Sequence, residues 1–191
     1  MLVSGSGSNL QALLDDQVDY RIVVVIADRP EALGLERASR ARVPTAVVPW
    51  DGDRGSFTRR ICDEAQVKGA RALVLAGFMR ILGPEALDRF PAGILNIHPS
   101  LLPAFPGNRA VVQALAAGVA TTGVTVHFVD EQVDHGPIIA QEEVAVFAGD
   151  TEASLHARIQ EHEHRLYPEV VGAFARGEIR LAGRSVDGVI T

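Results

Sequence analysis

Short apolar runs rich in β-branched residues alternate with stretches of helical periodicity through the first half of this chain. The predicted strands are residues 2–3, 21–27, 45–48, 71–76 and 94–96, and the predicted helices are residues 9–16, 31–41, 56–68 and 84–89. Such alternation is typical of a doubly wound, mostly parallel sheet with helices on both faces. Folds of this class bind ligands just beyond the carboxyl ends of their strands. We therefore expect the chemistry to lie in the loops that follow these strands.

The second half of the chain has a different pattern. Residues 123–129 and 137–146 are predicted strands, and the polar connection between them is too short for a crossover helix. A long amphipathic helix is predicted at residues 151–176, with Asp150 and Thr151 at its capping position. The prediction is an α/β fold with an antiparallel strand pair in its C-terminal half. No linker or repeat interrupts it, so we predict a single domain over residues 1–191.

Composition excludes several classes of protein. A chain of 191 residues with 47% hydrophobic content is long enough for one well-buried domain. Its formal net charge of −6 offers no electrostatic attraction to nucleic acid. Apolar stretches such as residues 23–27 are far too short to span a bilayer, and we expect no leader segment. The single cysteine, Cys62, is typical of a reducing compartment, so a cytoplasmic location is expected.

An amide and an imidazole stand together at the end of the strand predicted at residues 94–96. Asn96 and His98 are separated by one residue, and side chains at i and i+2 of an extended segment point the same way. An imidazole can give or take a proton near neutral pH, and an amide NH₂ can donate to a developing oxyanion. Their position favours catalysis on a carbonyl carbon over a purely structural histidine. The chain has no G-x-S-x-G motif, which argues against an acyl-enzyme.

Serine and glycine alternate in residues 4–8, and Asn9 follows at the start of a predicted helix. Glycines let the backbone approach a ligand closely, and helix N-termini bind phosphate groups. The segment lacks both the full dinucleotide fingerprint and the lysine of a P-loop. From the pattern alone, a phosphate site and an ordinary capped turn stay equally open. Because a strand usually needs about five residues, we expect the chain to begin inside its first strand.

The remaining polar residues give weaker predictions. An Asp in a glycine-containing connection is usually a turn former, and the pattern around Asp134 favours that interpretation. If the connection instead folded over His98, the carboxylate would favour the imidazolium. Glu163 is predicted to be a surface acid, and Trp50 is either a core residue or a ligand-side aromatic. The other histidines form no zinc signature, so we expect no metal, and His156, His162 and His164 are predicted at solvated positions of the long helix. His127 and His135 flank the connection of the predicted strand pair.

Several motifs, in order, resemble the formyltransferase family that uses 10-formyltetrahydrofolate. They are residues 4–12, 76–82, 96–103, 105–107, 133–139, 148–150 and 161–168. The resemblance extends from the first residues to about residue 177 and implies a Rossmann-like formyltransferase fold. It assigns residues 1–95 to a phosphate- and ribonucleotide-binding half and residues 96–191 to a catalytic and folate-binding half. Within the family, the motifs are most similar to the branch that formylates 5′-phosphoribosylglycinamide in purine synthesis.

The resemblance also implies roles for particular residues. The catalytic residues would be Asn96, His98 and Asp134. The substrate phosphate would contact Gly7, Ser8 and Asn9, and the amine end of the substrate would contact Glu163. Folate contacts would be Arg54, Met79, Arg80, Ile81, Leu82 and Val133, with Asn96 and Asp134 shared. The loop at residues 131–136 would border the pterin ring.

The implied activity is formyl transfer from 10-formyltetrahydrofolate to the glycyl amine of 5′-phosphoribosylglycinamide, without a metal. The amine would attack the formyl carbon directly. Asn96 and His98 would stabilise the oxyanion, and His98, kept protonated by Asp134, would help to move a proton to the departing folate nitrogen. The expected partners are these two small molecules alone, with no nucleic acid and no membrane. The chain is expected to be a monomer or a homodimer.

One motif departs from the family, and two other readings compete with this one. The family usually has a histidine two residues after its Phe/Tyr-Pro-Gly, whereas Asn108 and Arg109 follow Gly107 here. Arg109 would offer a cation near the substrate phosphate instead. Methionyl-tRNA formyltransferase and formyltetrahydrofolate hydrolase are alternative enzymes, but each normally has a further domain, for which 191 residues leave no room. A non-catalytic nucleotide-binding module is the third reading, and the intact catalytic residues count against it.

Overall fold

The structure is a computed structural model, and it describes residues 1–183 and 185–188. The chain divides into two compact units, Met1–Asn96 and Ile97–Thr191. The first unit alternates strands and helices, and the second begins within the last strand of that series. A single domain over residues 1–191 stays a prediction.

The first unit is a parallel sheet flanked by helices. Its elements are β1 (Leu2–Val3), α1 (Ser8–Asp15), β2 (Val25–Ala27), α2 (Leu33–Arg40), β3 (Thr45–Val47), α3 (Arg54–Val67), β4 (Leu73–Leu75), α4 (Pro84–Arg89) and β5 (Ile94–His98). The strand order is β3-β2-β1-β4-β5, and every pair is parallel. The order reverses between β1 and β4, which is where doubly wound sheets bind ligands.

Apolar strands hold the first unit together. β1, β2 and β4 are buried along their whole length, because both faces of a parallel sheet are covered by helices. Leu10 and Leu13 of α1 and Phe57 and Ile61 of α3 pack into this core with no exposed surface. Each such side chain contributes roughly 1.5–3 kcal/mol of burial free energy. The carboxyl ends of β1 and β4 are thereby held side by side.

The second unit contains an antiparallel pair and a long helix. Its elements are α5 (Ala110–Ala117), β6 (Thr121–Phe128), β7 (Ile138–Ala145), α6 (Glu152–Arg176), β8 (Arg180–Ala182) and β9 (Ser185–Asp187). β6 and β7 pair antiparallel, with a register shift between Val126 and His127. β8 and β9 form a separate antiparallel hairpin.

The start of α6 is fixed by side-chain caps. The Thr151 hydroxyl oxygen accepts a hydrogen bond from the Ser154 backbone N–H, and the Ser154 hydroxyl oxygen accepts one from the Thr151 backbone N–H. Asp150 accepts two hydrogen bonds from the guanidinium of Arg158 at 2.9 Å each. These bonds hold the pKa of Asp150 well below its ordinary value. The helix continues through Pro168 and ends at Gly177 in the left-handed conformation.

The predicted fold class is confirmed: the chain is a mostly parallel α/β protein with an antiparallel pair in its C-terminal half. Two local predictions were wrong. The strand expected at residues 21–27 begins only at Val25, where pairing with Thr45 starts. Helix α5 was not predicted, although its alanine-rich sequence and the left-handed Gly118 that follows are ordinary helix signals.

Candidate functional site

The serine–glycine segment after β1 is tied to the end of β4. The Ser4 backbone N–H donates to the Gly77 carbonyl oxygen at 3.1 Å. The Ser4 hydroxyl oxygen accepts a hydrogen bond from the Met79 backbone N–H at 2.9 Å. Ser4 is buried, so these bonds are shielded from water. The first unit thus places the segment predicted to bind phosphate beside the segment predicted to bind folate.

Helix α2 fixes the turn that leads into α1. Gly7 caps α1 in the left-handed conformation, at φ 69°. A Cβ there would lie 2.7 Å from the Gly34 Cα, so a side chain at Gly7 would collide with backbone. The Gly34 N–H donates to the Gly5 carbonyl at 3.2 Å, and the Arg37 Nε donates to the Ser6 carbonyl at 2.8 Å. The turn is therefore held open at the N-terminus of α1, where helices present N–H groups to anions.

Ser8 and Asn9, the other predicted phosphate contacts, are the first two residues of α1. Ser8 is half-buried and Asn9 is buried. Arg37 adds a cation that sequence reasoning missed, and it also contacts Gln11 of α1 at 3.2 Å. Its only sequence signal is its place on the helix that follows β2.

The predicted folate segment presents apolar side chains to solvent. Met79 is 62% exposed and Ile81 is 54% exposed, while Leu82 is half-buried. Exposed large apolar side chains at a ligand-binding sheet edge fit an apolar ring system. Arg54, the first residue of α3, is exposed. Its position is fixed by the N-cap Asp53, which accepts a hydrogen bond from the Ser56 backbone at 2.6 Å.

A buried carboxylate positions the predicted folate residue Arg80. Asp28 follows β2 and its side chain has no exposed surface. Its Oδ2 lies 2.9 Å from Arg80 Nε, and its Oδ1 lies 3.6 Å from Arg29 Nε. The Arg80 guanidinium also lies over the Trp50 ring, 5.4 Å from its centre. Trp50 contacts the core residue Phe57 edge-on and is partly exposed. Part of its side chain therefore packs against the core, and the rest faces solvent.

Asn96 and His98 both lie within β5. The strand was predicted to end at Asn96, but it continues to His98. Their i, i+2 spacing puts both side chains on the same side of the strand. Asn96 is half-buried and pairs in register with Leu75. His98 is buried.

Each ring nitrogen of His98 faces an oxygen acceptor. Nε2 lies 2.8 Å from the Phe105 carbonyl oxygen, and Nδ1 lies 3.3 Å from Oδ2 of Asp134. A carbonyl oxygen only accepts, so Nε2 carries a proton in this arrangement. A carboxylate also only accepts, so the second contact is satisfied when Nδ1 is protonated as well. The two acceptors together suit an imidazolium ring.

Strained backbone holds both partners of His98. Phe105 and Asp134 adopt left-handed conformations, at φ 54° and 51°, which non-glycine residues rarely do. Such conformations cost on the order of 1–3 kcal/mol and occur mostly at functional sites. The Gly107 backbone N–H donates to Oδ2 of Asp134 at 2.7 Å, which steadies the carboxylate. The turn interpretation of Asp134 therefore describes its backbone, while its side chain reaches the histidine.

A second histidine lies against the same carboxylate. His127 is buried on β6 at the register shift, and its Nε2 is 3.7 Å from Oδ1 of Asp134. Its Nδ1 lies 2.8 Å from the Phe128 carbonyl, which can only accept, so the proton of a neutral ring is on Nδ1. Burial lowers the pKa of His127 below its ordinary value. The sequence pattern predicted no role for His127.

The other predicted residues are more scattered. Glu163 is buried on α6, so its interpretation as a surface acid was wrong. Val133 and Arg109 are exposed, and Arg109 caps α5. Among residues 1–183 and 185–188, no group of three or more His, Cys, Asp or Glu side chains is arranged to hold a metal ion. No helix within those residues is long and apolar enough to cross a membrane.

The sequence profile of the formyl transferase family matches residues 1–171. This chain belongs to the formyl transferase family. It is 45% identical to the phosphoribosylglycinamide formyltransferase of Mycobacterium tuberculosis strain CDC 1551 over 190 residues, 97% of this chain and 88% of that protein. It is 40% identical to the Escherichia coli K12 protein of the same name over 187 residues, 95% of this chain and 88% of that one. Glycinamide ribonucleotide transformylase 1 from Symbiobacterium toebii has a similar structure, with a TM-score of 0.95 and 47% identity over 99% of this chain and 92% of that one.

For this formyl transferase, the resemblance read from the motifs is confirmed at the level of the family. The structure adds groups that side-chain patterns do not reveal. The Phe105 carbonyl and the Gly107 N–H are backbone groups, and they contact His98 and Asp134 respectively. Asp28 was missed because an acidic residue after a strand has many ordinary roles.

Proposed function

We propose that this chain transfers the formyl group of 10-formyltetrahydrofolate to the glycyl amine of 5′-phosphoribosylglycinamide. The product would serve de novo purine synthesis. The names of the relatives in Mycobacterium tuberculosis and Escherichia coli support this substrate pair. The charge of −6 agrees with small-molecule partners rather than nucleic acid. We also propose a cytoplasmic location, which the single buried thiol, Cys62, supports.

One observation carries the mechanism: His98 is held between a carboxylate and a backbone carbonyl, two residues after an amide on the same strand. Ring nitrogens in contact with Asp134 and Phe105 support a proton-carrying role for His98. The amide of Asn96 supplies a neutral donor of the kind that binds an oxyanion. Neither a protonated imidazole nor an amide is a nucleophile, which supports direct transfer without a covalent enzyme intermediate.

In the proposed reaction, the glycyl nitrogen forms a bond to the formyl carbon and the carbonyl oxygen becomes an oxyanion. Asn96 and protonated His98 donate hydrogen bonds to that oxyanion, each stabilising it by roughly 2–4 kcal/mol. The bond between the formyl carbon and the folate N10 then breaks. The attacking nitrogen loses one proton and N10 gains one, with His98 as the carrier. The products are the formylated amide and tetrahydrofolate.

His98 must exchange one contact to reach the formyl oxygen, because a ring N–H makes one strong hydrogen bond at a time. The Phe105 carbonyl is neutral, whereas the Asp134 carboxylate is charged, and charge-assisted hydrogen bonds are roughly twice as strong. We propose that the formyl oxygen replaces the Phe105 carbonyl and that Asp134 stays in place. Asp134 then keeps the ring oriented while it carries the proton.

The ends of the two substrates are assigned to further residues. Gly7, Ser8 and Asn9 would bind the substrate phosphate, and Glu163 would contact its amine end. The exposed apolar side chains of Met79 and Ile81, with Leu82, would contact the folate rings. Arg54 and Arg80 would bind its anionic end. Val133 and the rest of the loop at residues 131–136 would border the pterin.

The test is a spectrophotometric assay with purified 5′-phosphoribosylglycinamide and a 10-formylfolate analogue. Wild-type chain should release the deformylated folate only when the amine substrate is present, in equal amount to the formylated product. Release without the amine substrate would indicate a hydrolase and contradict the proposal. The His156→Gln variant, on the exposed face of α6, is the matched control for histidine substitutions. Light scattering on the same sample would decide between monomer and homodimer.

A further inference from the structure

Two histidines face one carboxylate in the second unit. Oδ2 of Asp134 lies 3.3 Å from His98 Nδ1, and Oδ1 lies 3.7 Å from His127 Nε2. The two histidines are buried and Asp134 is nearly so, since the exposed fractions of the side chains are 6% for His98, 10% for Asp134 and 2% for His127. A single negative charge can fully compensate only one imidazolium. Whether the additional proton is on His98 or on His127 therefore decides whether His98 can act as a proton donor.

Hydrogen bonding indicates which ring nitrogen of His127 carries the proton. The Phe128 carbonyl oxygen accepts a hydrogen bond from the Nδ1–H of His127, so a neutral His127 turns an unprotonated Nε2 towards Asp134. A second proton on His127 would be disfavoured by burial first, and the charge of His98 opposes it further. Asp134 and Asp130 are the nearby acids that favour it, and they do not overcome the burial.

The backbone contributes to this orientation. The register of β6 against β7 shifts between Val126 and His127, and such irregularities re-aim a side chain next to an active site. At this shift, Nδ1 of His127 lies 2.8 Å from the carbonyl oxygen of the next residue in the chain, Phe128. A donor at the position of Nε2 would instead point at Asp134.

We propose that His127 is a positioning residue that reserves the charge of Asp134 for His98 by presenting an acceptor, not a donor, to the carboxylate. A donor there would form a hydrogen bond to Oδ1 and draw negative charge away from His98. His98 would then lose its proton at lower pH. The inference rests on the proposed formyl transfer, in which protonated His98 acts, but it concerns a different side chain.

The experiment compares two replacements of His127 that differ in one property. Gln places an NH₂ donor close to the position of Nε2, and Leu places no polar group there. Both lose the bond to the Phe128 carbonyl, so that loss cancels in the comparison. The measurements are the pH profile of kcat/KM and the pH midpoint of the His98 ring resonance by NMR, in the full-length chain.

We expect His127→Gln to move the alkaline fall of kcat/KM, and the His98 midpoint, to lower pH by roughly 0.5–1 unit. His127→Leu should leave both within about 0.2 unit, although it lowers the melting temperature as a core substitution does. Equal shifts in the two variants, or no shift in either, would overturn the proposal. His156→Gln controls for the effect of the substitution itself.

Two further readouts keep this inference separate from the proposed function. If the wild-type chain transfers no formyl group, the proposed function fails, and the NMR midpoint still tests His127. If neither variant folds, nitrogen chemical shifts of wild-type His127 decide the question. A proton on Nδ1 and none on Nε2 supports the proposal, and a proton on Nε2 overturns it.

Discussion

Replacing Gly7 with alanine tests whether the turn before α1 is held by backbone contact with α2. Gly7 has φ 69° and ψ 33°, and a Cβ there would lie 2.7 Å from the Gly34 Cα. Gly118, at the end of α5, has nearly the same backbone angles, φ 63° and ψ 29°, and its Cβ would meet nothing within 4 Å. Gly118→Ala is therefore a matched control that carries the conformational cost without the collision.

The magnitudes follow from these two differences. An alanine in the left-handed region costs roughly 1–2 kcal/mol, which is the whole expected effect of Gly118→Ala. The collision in Gly7→Ala involves backbone that cannot rotate away, and overpacking of this kind adds about 1–3 kcal/mol. We expect a total loss of roughly 2–5 kcal/mol for Gly7→Ala.

Two assays check this prediction. Urea denaturation gives the free energy of unfolding of each variant, and steady-state kinetics give the KM for 5′-phosphoribosylglycinamide. Since about 1.4 kcal/mol corresponds to a tenfold change in affinity, a displaced turn in Gly7→Ala should raise that KM about tenfold or more. Gly118→Ala should leave the KM unchanged. Equal losses of stability in the two variants, with equal KM values, would refute the reasoning.

Three other experiments test the catalytic histidine, the buried ion pair and the buried cysteine. His98→Ala should lower kcat by about 100- to 10,000-fold, the usual loss when an acid–base group is removed, with ribonucleotide binding measured by calorimetry unchanged; wild-type turnover would contradict its role. Arg80→Gln leaves the buried Asp28 carboxylate with the more distant Arg29, 3.6 Å away, so the loss should stay below the roughly 3–5 kcal/mol of a fully broken buried pair. Asp28→Asn leaves only a solvated arginine, so urea denaturation should find it milder; the reverse order would exclude the pair as described. Burial raises the pKa of Cys62 to about 11, so an aromatic disulfide reagent at pH 8 should react only after unfolding, and rapid reaction of the native chain would contradict its burial.

The fold could be predicted from the sequence because its signals are local and repeated. Each buried strand of the first unit contains a short apolar run, and β1, β2 and β4 are each followed by a helix. The lengths of the strands were less predictable, because hydrophobic residues indicate that a segment is buried but not that it pairs with a neighbouring strand. Residues 22–24 are apolar enough for a strand, but pairing with β3 begins at Val25.

The candidate site could be predicted only in part. Asn96 and His98 were found by their spacing after a buried strand. The approach of Asp134 to His98 could not be derived from pattern, because the contact depends on a left-handed backbone at residue 134 that Asp only sometimes adopts. Glu163 was misjudged and His127 was missed for a related reason: burial of a polar residue is decided by neighbouring elements and leaves no local signature.

The carbonyl of Phe105 gives His98 a partner that does not depend on a side chain. Every amino acid has a backbone carbonyl oxygen. A substitution at position 105 therefore keeps the hydrogen-bond acceptor, provided that the new residue tolerates a left-handed φ of 54°. Asp134 has no such freedom, since both of its carboxylate oxygens face histidines. A saturation library screened for growth without external purines should therefore return many survivors at position 105, enriched in glycine and asparagine, and almost none at position 134.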